Sequence, residues 1–504
     1  MSYPKQISPS DAAARIYGCW LGKAIGGTLG GPHEGKTGPL GLTYYDPVPT
    51  SVMPNDDLDL QVVWLCYLLN NGAREVTPDI LSDAWHQHVD FPFDEYGICH
   101  RNTAYGLKGY KRGSVDNFFS ECMGAAIRSE LWACLAPGDP QRAAAFAWAD
   151  AACDHAGDGI WAEVFFAAIE SAAFVEHDRD TLIDLGLSFL PAESRVRDAV
   201  QLTRASWAQK RDWAAVRADV LAAHENPNFS DVAANLAFTI LGWLAGEGDF
   251  GKSICIATNC GMDTDCTAAT LGSILGIIDP KGIPDTWRKP IGNAVILNPQ
   301  IVRLQNIPQT LEEFTEQTIR LGEQLAGAKP VIKEIVPRAP QADGDTLVQI
   351  PVKIGFAERD ALFGDQVPAS IVSESSTVLP GHWIRRERKD FRAPVMLLHY
   401  TINLKKDEHV QFVVWSQTTT RVWVNGVEAK EVPCQEACAH RQVEGAPSFH
   451  RGGRGNFGIP HALKAGKHEL LVAWEWPKIF QADLVVGVAN AESKQWLPFA
   501  LLKQ

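Results

Sequence analysis

Apolar residues recur every three or four positions up to about residue 330 and at two-residue spacing beyond it. This change of period constrains the fold more than any other feature of the chain. Segments such as LDLQVVWLCYLL, IWAEVFFAAIESAAFV and VAANLAFTILGWLAG carry an apolar stripe at helical spacing, and several are rich in alanine, which favours helix. Short breakers such as APGDP separate them. After AGAKPVIKEIVPRAPQADGD, rich in proline and charge, come LVQIPVKIGF, MLLHYTINL, VQFVVWSQTTTRVWVNGVEAK, HELLVAWEW and DLVVGVAN, which are short β-branched and aromatic runs. Asn425-Gly426, between TTRVWV and VEAK, predicts a two-residue hairpin. The expectation is a multidomain chain: an all-α domain over 1–328, a linker over 329–345, and an all-β sandwich of jelly-roll type over 346–504.

At 504 residues the chain is long for a single core, in keeping with that division. Apolar residues make up 46% and charged residues 21%, the balance of a folded chain rather than a disordered one. No apolar run approaches the roughly 18 residues of a membrane span. The start, MSYPKQISPSDAAARIYGCW, lacks a charged region followed by an uninterrupted apolar stretch, so no signal peptide is expected. Eleven cysteines, an odd number scattered through helical segments, predict free thiols in a reducing compartment and hence a cytoplasmic protein. Aspartate plus glutamate outnumber lysine plus arginine by 60 to 46, for a net charge of −14. Such a balance argues against a general phosphate-backbone binder, because that mode needs a basic stripe to displace counterions. Metal ions and small substrates remain.

In YGCWLGKAIGGTLGGPHEG, Gly18, Gly22, Gly26 and Gly30 line one side of a continuous helix. Each interior glycine costs a helix about 0.8–1 kcal/mol relative to alanine, and close approach of another backbone is the reading that best accounts for four of them. The helix breaks at GGPHEG, which presents His33 and Glu34.

Two acidic clusters stand at helix starts. NCGMDTDCTAATLGSILG places Asp263 and Asp265 before an apolar run, and PNDDLDLQVVWLCYLL does the same with Asp56 and Asp57, after Asn55 and ahead of Asp59. Residues two apart diverge by about 200° within a helix, so the pair can converge only at the turn that enters it. Alone, Asp-Thr-Asp reads as a cap plus a solvated acid, and Asp59 as a first-turn acid near the positive end of the dipole. Two helices headed by paired carboxylates and brought face to face would instead make an oxygen-rich pocket for one or two hard divalent cations such as magnesium.

These residues resemble the ADP-ribosylglycohydrolase family, the dinitrogenase-reductase-activating and ADP-ribosyl-acceptor hydrolases. Its glycine-rich helix ending in glutamate is matched by GCWLGKAIGGTLGGPHE, its Thr/Ser-Asp-Asp motif by NDD, its Tyr-Gly turn by EYGICH, and a later stretch by CMGAAIR. Its Pro-Gly-Asp-Pro turn and histidine-bearing segment are matched by APGDPQRAA and CDHAGDG, and its closing signature by GMDTDCTAA, all in the family's order. The resemblance implies that Asn55, Asp56, Asp57, Asp263 and Asp265 ligate two magnesium ions, with manganese as the alternative ion. Glu34, Asp57 and Asp263 would be catalytic, and His33, Tyr96, Gly97, Gly124, His155 and Gly261 would line the substrate cleft.

The implied activity is metal-dependent hydrolysis of the glycosidic bond of an ADP-ribosyl or related ribosyl conjugate, carried by a small molecule or a protein. Leu58 and Cys266 stand where the family usually has threonine, and Met123 where asparagine is common. Two alternatives stay open: a non-catalytic sugar- or nucleotide-binding protein of the same fold, which the lost hydroxyls fit, and a hydrolase of another glycoside with a carbohydrate-binding tail. The tail, with Trp383, Trp415, Trp423, Trp474, Trp476 and Trp496, is similar to accessory sandwiches of glycoside-processing enzymes, which implies carbohydrate as a partner; buried core tryptophans are the commoner case. GRGNFG lacks the strand-turn-helix context of a dinucleotide site, and Cys434, Cys438 and His440 read as a plain loop.

Overall fold

Helix starts follow the capping chemistry written in the sequence. Ser8, Thr77, Asp139 and Asp249 each accept a first-turn backbone N–H with their side chains. They open the helices Pro9–Gly30, Pro78–His88, Pro140–Ala151 and Phe250–Asn259. Three of the four have proline in the first turn, where its missing N–H costs nothing.

The computed structural model describes residues 3–91, 94–104, 106–224, 226, 228–332, 350–364, 366–379, 381–416, 418–429, 457–476, 481–493 and 497. Most of the 329–345 linker, Cys434, Cys438, His440, Trp496 and most of the 453–458 glycine run lie outside the described residues. The chain forms two compact units. One comprises Met1–Asp90, Lys108–Gly113 and Ser120–Arg338; the other comprises Phe91–Leu107, Ser114–Phe119 and Ala339–Gln504.

The first unit is helical. Its interior helices Asp158–Ala173, Val232–Gly246 and Thr264–Ile278 are buried along almost their whole length, which is why their apolar residues run right round the helix. Pro9–Gly30 packs antiparallel on Thr264–Ile278 through its glycines. A Cβ on Gly18 would lie 2.2 Å from Gly276 O, on Gly22 2.0 Å from Gly272 O, on Gly26 2.2 Å from Ala268 O and on Gly30 2.3 Å from Thr264 O. The glycine stripe is therefore a backbone-to-backbone contact, and it brings the end of the first helix to the head of the helix that begins at Thr264. Thr264 Oγ1 donates to Gly30 O at 2.9 Å and ties the two together.

The second unit is an antiparallel sandwich. Its strands are β1 (Ile350–Ala357), β2 (Ser375–Leu379), β3 (Trp383–Glu387), β4 (Val395–Leu404), β5 (Glu408–Ser416), β6 (Thr420–Val424), β7 (Val427–Glu428), β8 (Phe457–Leu463), β9 (Gly466–Glu475) and β10 (Gln481–Asn490). They form sheets ordered β2-β1-β4-β9-β6-β7 and β3-β10-β5-β8. One core is shared by alternate residues of both sheets, including Met396, Leu398, Val472 and Trp474 from the first and Phe412, Val414, Val486 and Val488 from the second. The order β4-β9-β6-β7 against β3-β10-β5-β8 is that of interleaved Greek keys, a jelly roll, with β1 and β2 widening one sheet. Asn425 and Gly426 have φ of 52° and 80° and join β6 to β7, the left-handed pair that a tight hairpin requires.

Within this unit, Phe118 and Trp383 pack on Val413, Trp415, Val485 and Ala489, the outer face of the four-stranded sheet. Trp415, Trp423 and Trp474 are buried, and Trp383 and Trp476 are half-buried. The nine cysteines among the described residues are all buried and unbridged. Among the described residues no helix is long and apolar enough to cross a membrane.

Candidate metal centre

Local backbone geometry sets the first acidic pair. Gly261 and Met262 take left-handed φ of 77° and 68°, which turns the chain sharply into the helix that starts at Thr264. Met262 N donates to Lys36 O and Gly35 N donates to Met262 O, so the loop carrying Glu34 is laced to the turn carrying Asp263. A Cβ on Gly261 would lie 2.6 Å from Thr37, and only glycine fits both the φ and the space. Asp263 occupies the N-cap position, but its side chain does not cap, and its N–H donates to Asn235 Oδ1 at 3.1 Å. Asp263 and Asp265 are 3% and 4% exposed. The cap-plus-solvated-acid reading fails for both.

The second pair is set by Asn55. Its Oδ1 accepts from Asp57 N at 2.7 Å, capping the helix Asp56–Asn70, while its Nδ2 donates to Asp265 Oδ2 at 3.1 Å. The asparagine thus joins the two helix heads, with its oxygen serving its own helix and its nitrogen orienting Asp265. Asp57 is 1% exposed and Asp56 half-buried. Asp59 is also buried, accepting from Asn298 N and Nδ2 and so holding the 298 loop; burial pushes its carboxyl up to about 8.

The two clusters meet. One ligand atom from each of Asp57, Asp265 and Cys266 lies within 4.8 Å of the others, and so does one from each of Glu34, Asp263 and Asp265. Asp265 belongs to both groups. Burial, then the charges of Glu34, Asp263, Asp57 and Asp56, raise its carboxyl well above the usual carboxylate range. Its Oδ1 is buried without a hydrogen bond. A buried carboxylate oxygen with no donor costs about 1–3 kcal/mol or more, and a cation would remove that cost. The donor set is oxygen-rich, so it fits a hard divalent ion, apart from the sulfur of Cys266.

Behind Asp57 lies a network that the sequence pattern did not announce. Lys23, 1% exposed, places Nζ 3.2 Å from Asp57 Oδ1 and 2.7 Å from Glu130 Oε1, and donates to Ile127 O at 2.8 Å. Gln61 Nε2 donates to Glu130 Oε2 at 3.0 Å. Burial pushes the Asp57 carboxyl up and Lys23 opposes that, leaving it at about 7. The available signal was a lysine within the apolar and small-residue stretch Ile16–Gly30 of the first helix.

The sequence candidates for the substrate cleft belong to neither group of ligand atoms. His33 is buried in the short turn Gly31–His33, with Nδ1 2.9 Å from Lys36 Nζ. Gly124 and His155 belong to a buried cluster around Arg128, which pairs with Asp150 at 3.0 Å and Asp154 at 2.8 Å and donates from Nη1 to Gly124 O at 2.6 Å. His155, fully buried, sits with Nδ1 3.0 Å from Asp154 Oδ1. Tyr96 and Gly97 are buried on the helix Asp94–Ala104, which belongs to the other compact unit.

At the heads of two helices of the first unit, the carboxylates of Asp57 and Asp265 come within ligand distance of one another, an arrangement that could hold a metal ion. The sequence profile described as ADP-ribosylglycohydrolase matches residues 8–326, and the chain belongs to that family. The family is metal-dependent, and its type of activity is glycohydrolysis of ADP-ribosyl conjugates. A solved structure titled "ADP-ribosylglycohydrolase-related protein complex" is similar at 18% identity over 63% of this chain and 99% of that chain, with a TM-score of 0.46. No curated protein matches.

Proposed function

We propose that this chain is a magnesium-dependent hydrolase that cleaves the glycosidic bond of an ADP-ribosyl or related ribosyl conjugate. The observation that carries the reading is the sharing of Asp265 between two groups of ligand atoms. A carboxylate common to both suits two neighbouring ions held by Asp56, Asp57, Asp263 and Asp265, with manganese as the substitute ion. When bound, the metal supplies Lewis acidity to a ribose oxygen and to water.

Glu34 is exposed at the end of its loop yet within ligand distance of Asp263 and Asp265. That position suits a general base, which takes a proton from the attacking water and passes it to solvent. Asp57 and Asp263 fix the geometry around it. His33 and Gly261 flank the same loop and turn, while Tyr96, Gly97, Gly124 and His155 are assigned to the substrate cleft by family likeness. The buried, unbridged cysteines support a cytoplasmic location.

The test is incubation with ADP-ribosylated arginine and serine peptides and with plain nucleosides, with and without chelator. Chelator-sensitive release of the sugar from at least one of them is expected. No such product from any would leave a sugar- or nucleotide-binding protein of the same fold as the better reading.

A further inference from the structure

Cys266 follows Asp265 in the first turn of the helix Thr264–Ile278, with its thiol facing the acids. It is 7% exposed, and Sγ lies 3.5 Å from Asp57 Oδ2. An ion bound at about 2.3 Å to sulfur and about 2.0–2.2 Å to oxygen in tetrahedral geometry would separate those two ligands by about 3.6 Å. Here the thiol donates a hydrogen bond across that gap, and the same spacing suits two neighbouring ligands of one ion. The second observation is Asp265, 4% exposed, whose Oδ1 is buried without a hydrogen bond and whose carboxylate offers an oxygen within ligand distance of the same sulfur. The other group, Glu34, Asp263 and Asp265, offers only oxygen. Hard ions such as magnesium gain little from a thiolate, whereas borderline ions such as zinc gain a great deal.

We propose that Cys266 is a metal ligand, and that the position defined by Asp57, Asp265 and Cys266 takes a thiophilic divalent ion of the zinc type. The all-oxygen position keeps the hard ion, so the centre is mixed, with Asp265 between the two ions. On binding, the Cys266 S–H bond breaks, a sulfur–metal bond forms, and the proton leaves to the buffer. This rests on the metal-centre reading of the proposed function and goes beyond it in naming the ion.

The experiment uses full-length protein stripped with chelator and carrying Cys434→Ser and Cys438→Ser, so that the tail thiols contribute no signal. Cobalt(II) is titrated in, with zinc and magnesium affinities measured alongside by calorimetry. Near-ultraviolet thiolate-to-cobalt charge-transfer absorption is expected, saturating at one equivalent and absent from the Cys266→Ser version of the same protein. In that version zinc affinity should fall about tenfold or more, with magnesium affinity far less affected. The band requires only that the parent protein fold, so a poorly folding serine variant does not spoil the test; Cys266→Thr supplies a second comparison. Cobalt binding without the band, or unchanged zinc affinity in both Cys266 variants, overturns the assignment and leaves the proposed hydrolase intact. Failure to bind cobalt, zinc or magnesium at all overturns both.

Discussion

His382 Nδ1 lies 2.9 Å from Asp116 Oδ2, and both residues are buried, although 266 positions separate them in the chain. Asp116 Oδ1 accepts from Trp383 N at 3.1 Å, and Arg101 approaches Oδ2 at 3.4 Å. Burial pushes the Asp116 carboxyl up, but His382 and Arg101 outweigh it and hold the group below its ordinary value. Removing one partner of a buried pair strands the other, at a cost of about 3–5 kcal/mol. His382→Ala should therefore unfold the β unit at a visibly lower denaturant concentration. Because the folded pKa is depressed, the stabilisation is complete above about pH 4, the unfolded value, and is lost as pH falls through the lower folded value. Asp116→Asn should flatten that acid limb, and acid unfolding followed by near-ultraviolet circular dichroism tests it.

The same contact makes a prediction about truncation. Arg101 and Asp116 are encoded within the helical stretch but belong to the compact unit of the sandwich, where Phe118 also packs against Trp415 at 4.6 Å between ring centroids. A chain ended at residue 328 loses His382, Trp383 and Trp415 together. It should be poorly soluble, with the 91–107 and 114–119 segments cut by protease faster than in the full chain. A stable, fully protected truncation product would show that the contact is dispensable.

Gly22 tests the helix contact that positions the centre. A Cβ there would lie 2.0 Å from Gly272 O, and backbone cannot swing away as a side-chain tip can. Overpacking of this kind costs typically 1–3 kcal/mol and occasionally more. Gly22→Ala should fall at the upper end and should also weaken divalent-ion binding, since the first helix carries the Glu34 loop toward Asp263. Thermal unfolding and calorimetry on the same protein measure both effects.

Features fixed by local chemistry were legible before any coordinates. The glycine stripe, the paired acids at two helix heads, the Asn425-Gly426 hairpin and the change of period near residue 330 each depend on residues close in sequence. What could not be read depends on partners far away. Lys23 meets Glu130 across 107 positions, Asp59 meets Asn298 across 239, and Asp116 meets His382 across 266. Periodicity treats such charges as solvent-facing, and nothing in the spacing of Asp59 distinguishes it from an exposed first-turn acid. Asn55 shows the intermediate case. Its place before the helix announces a cap, but its second hydrogen bond, to Asp265, needs the other helix to be in position.

Glu163 gives a pH-dependent prediction away from the centre. It is fully buried, and its carboxyl shares a side-chain hydrogen bond with Asp150, which requires a proton on one of the two. Burial, then the charge of Asp150, raises its carboxyl well above the usual range despite Arg128 nearby. The unfolded chain releases this proton near pH 4.3, while the folded chain keeps it. Over that window the folded state holds the extra proton, so stability falls as pH rises, by at most about 1.4 kcal/mol per pH unit. Glu163→Gln keeps the shape and removes the titration. The variant should match the parent near pH 4 and be the more stable of the two at pH 8, as read from urea midpoints at both values.

Asp263→Asn carries the last prediction, because it separates the ion from the fold. Asp263 caps nothing with its side chain, so the helix Thr264–Ile278 does not depend on the carboxylate, and asparagine fills nearly the same volume. In the parent, a divalent ion bound only by the folded state should stabilise it by about 2.7 kcal/mol at an ion concentration 100-fold above Kd. That appears as a rise of several degrees in Tm when magnesium is added to chelator-treated protein. The asparagine variant should fold, and without ion it should melt at or slightly above the parent, since one of the repelling acids beside Asp265 is gone. Added magnesium should then shift its Tm little, and chelator-sensitive turnover should disappear. An undiminished magnesium shift in Asp263→Asn would mean that the ion sits elsewhere.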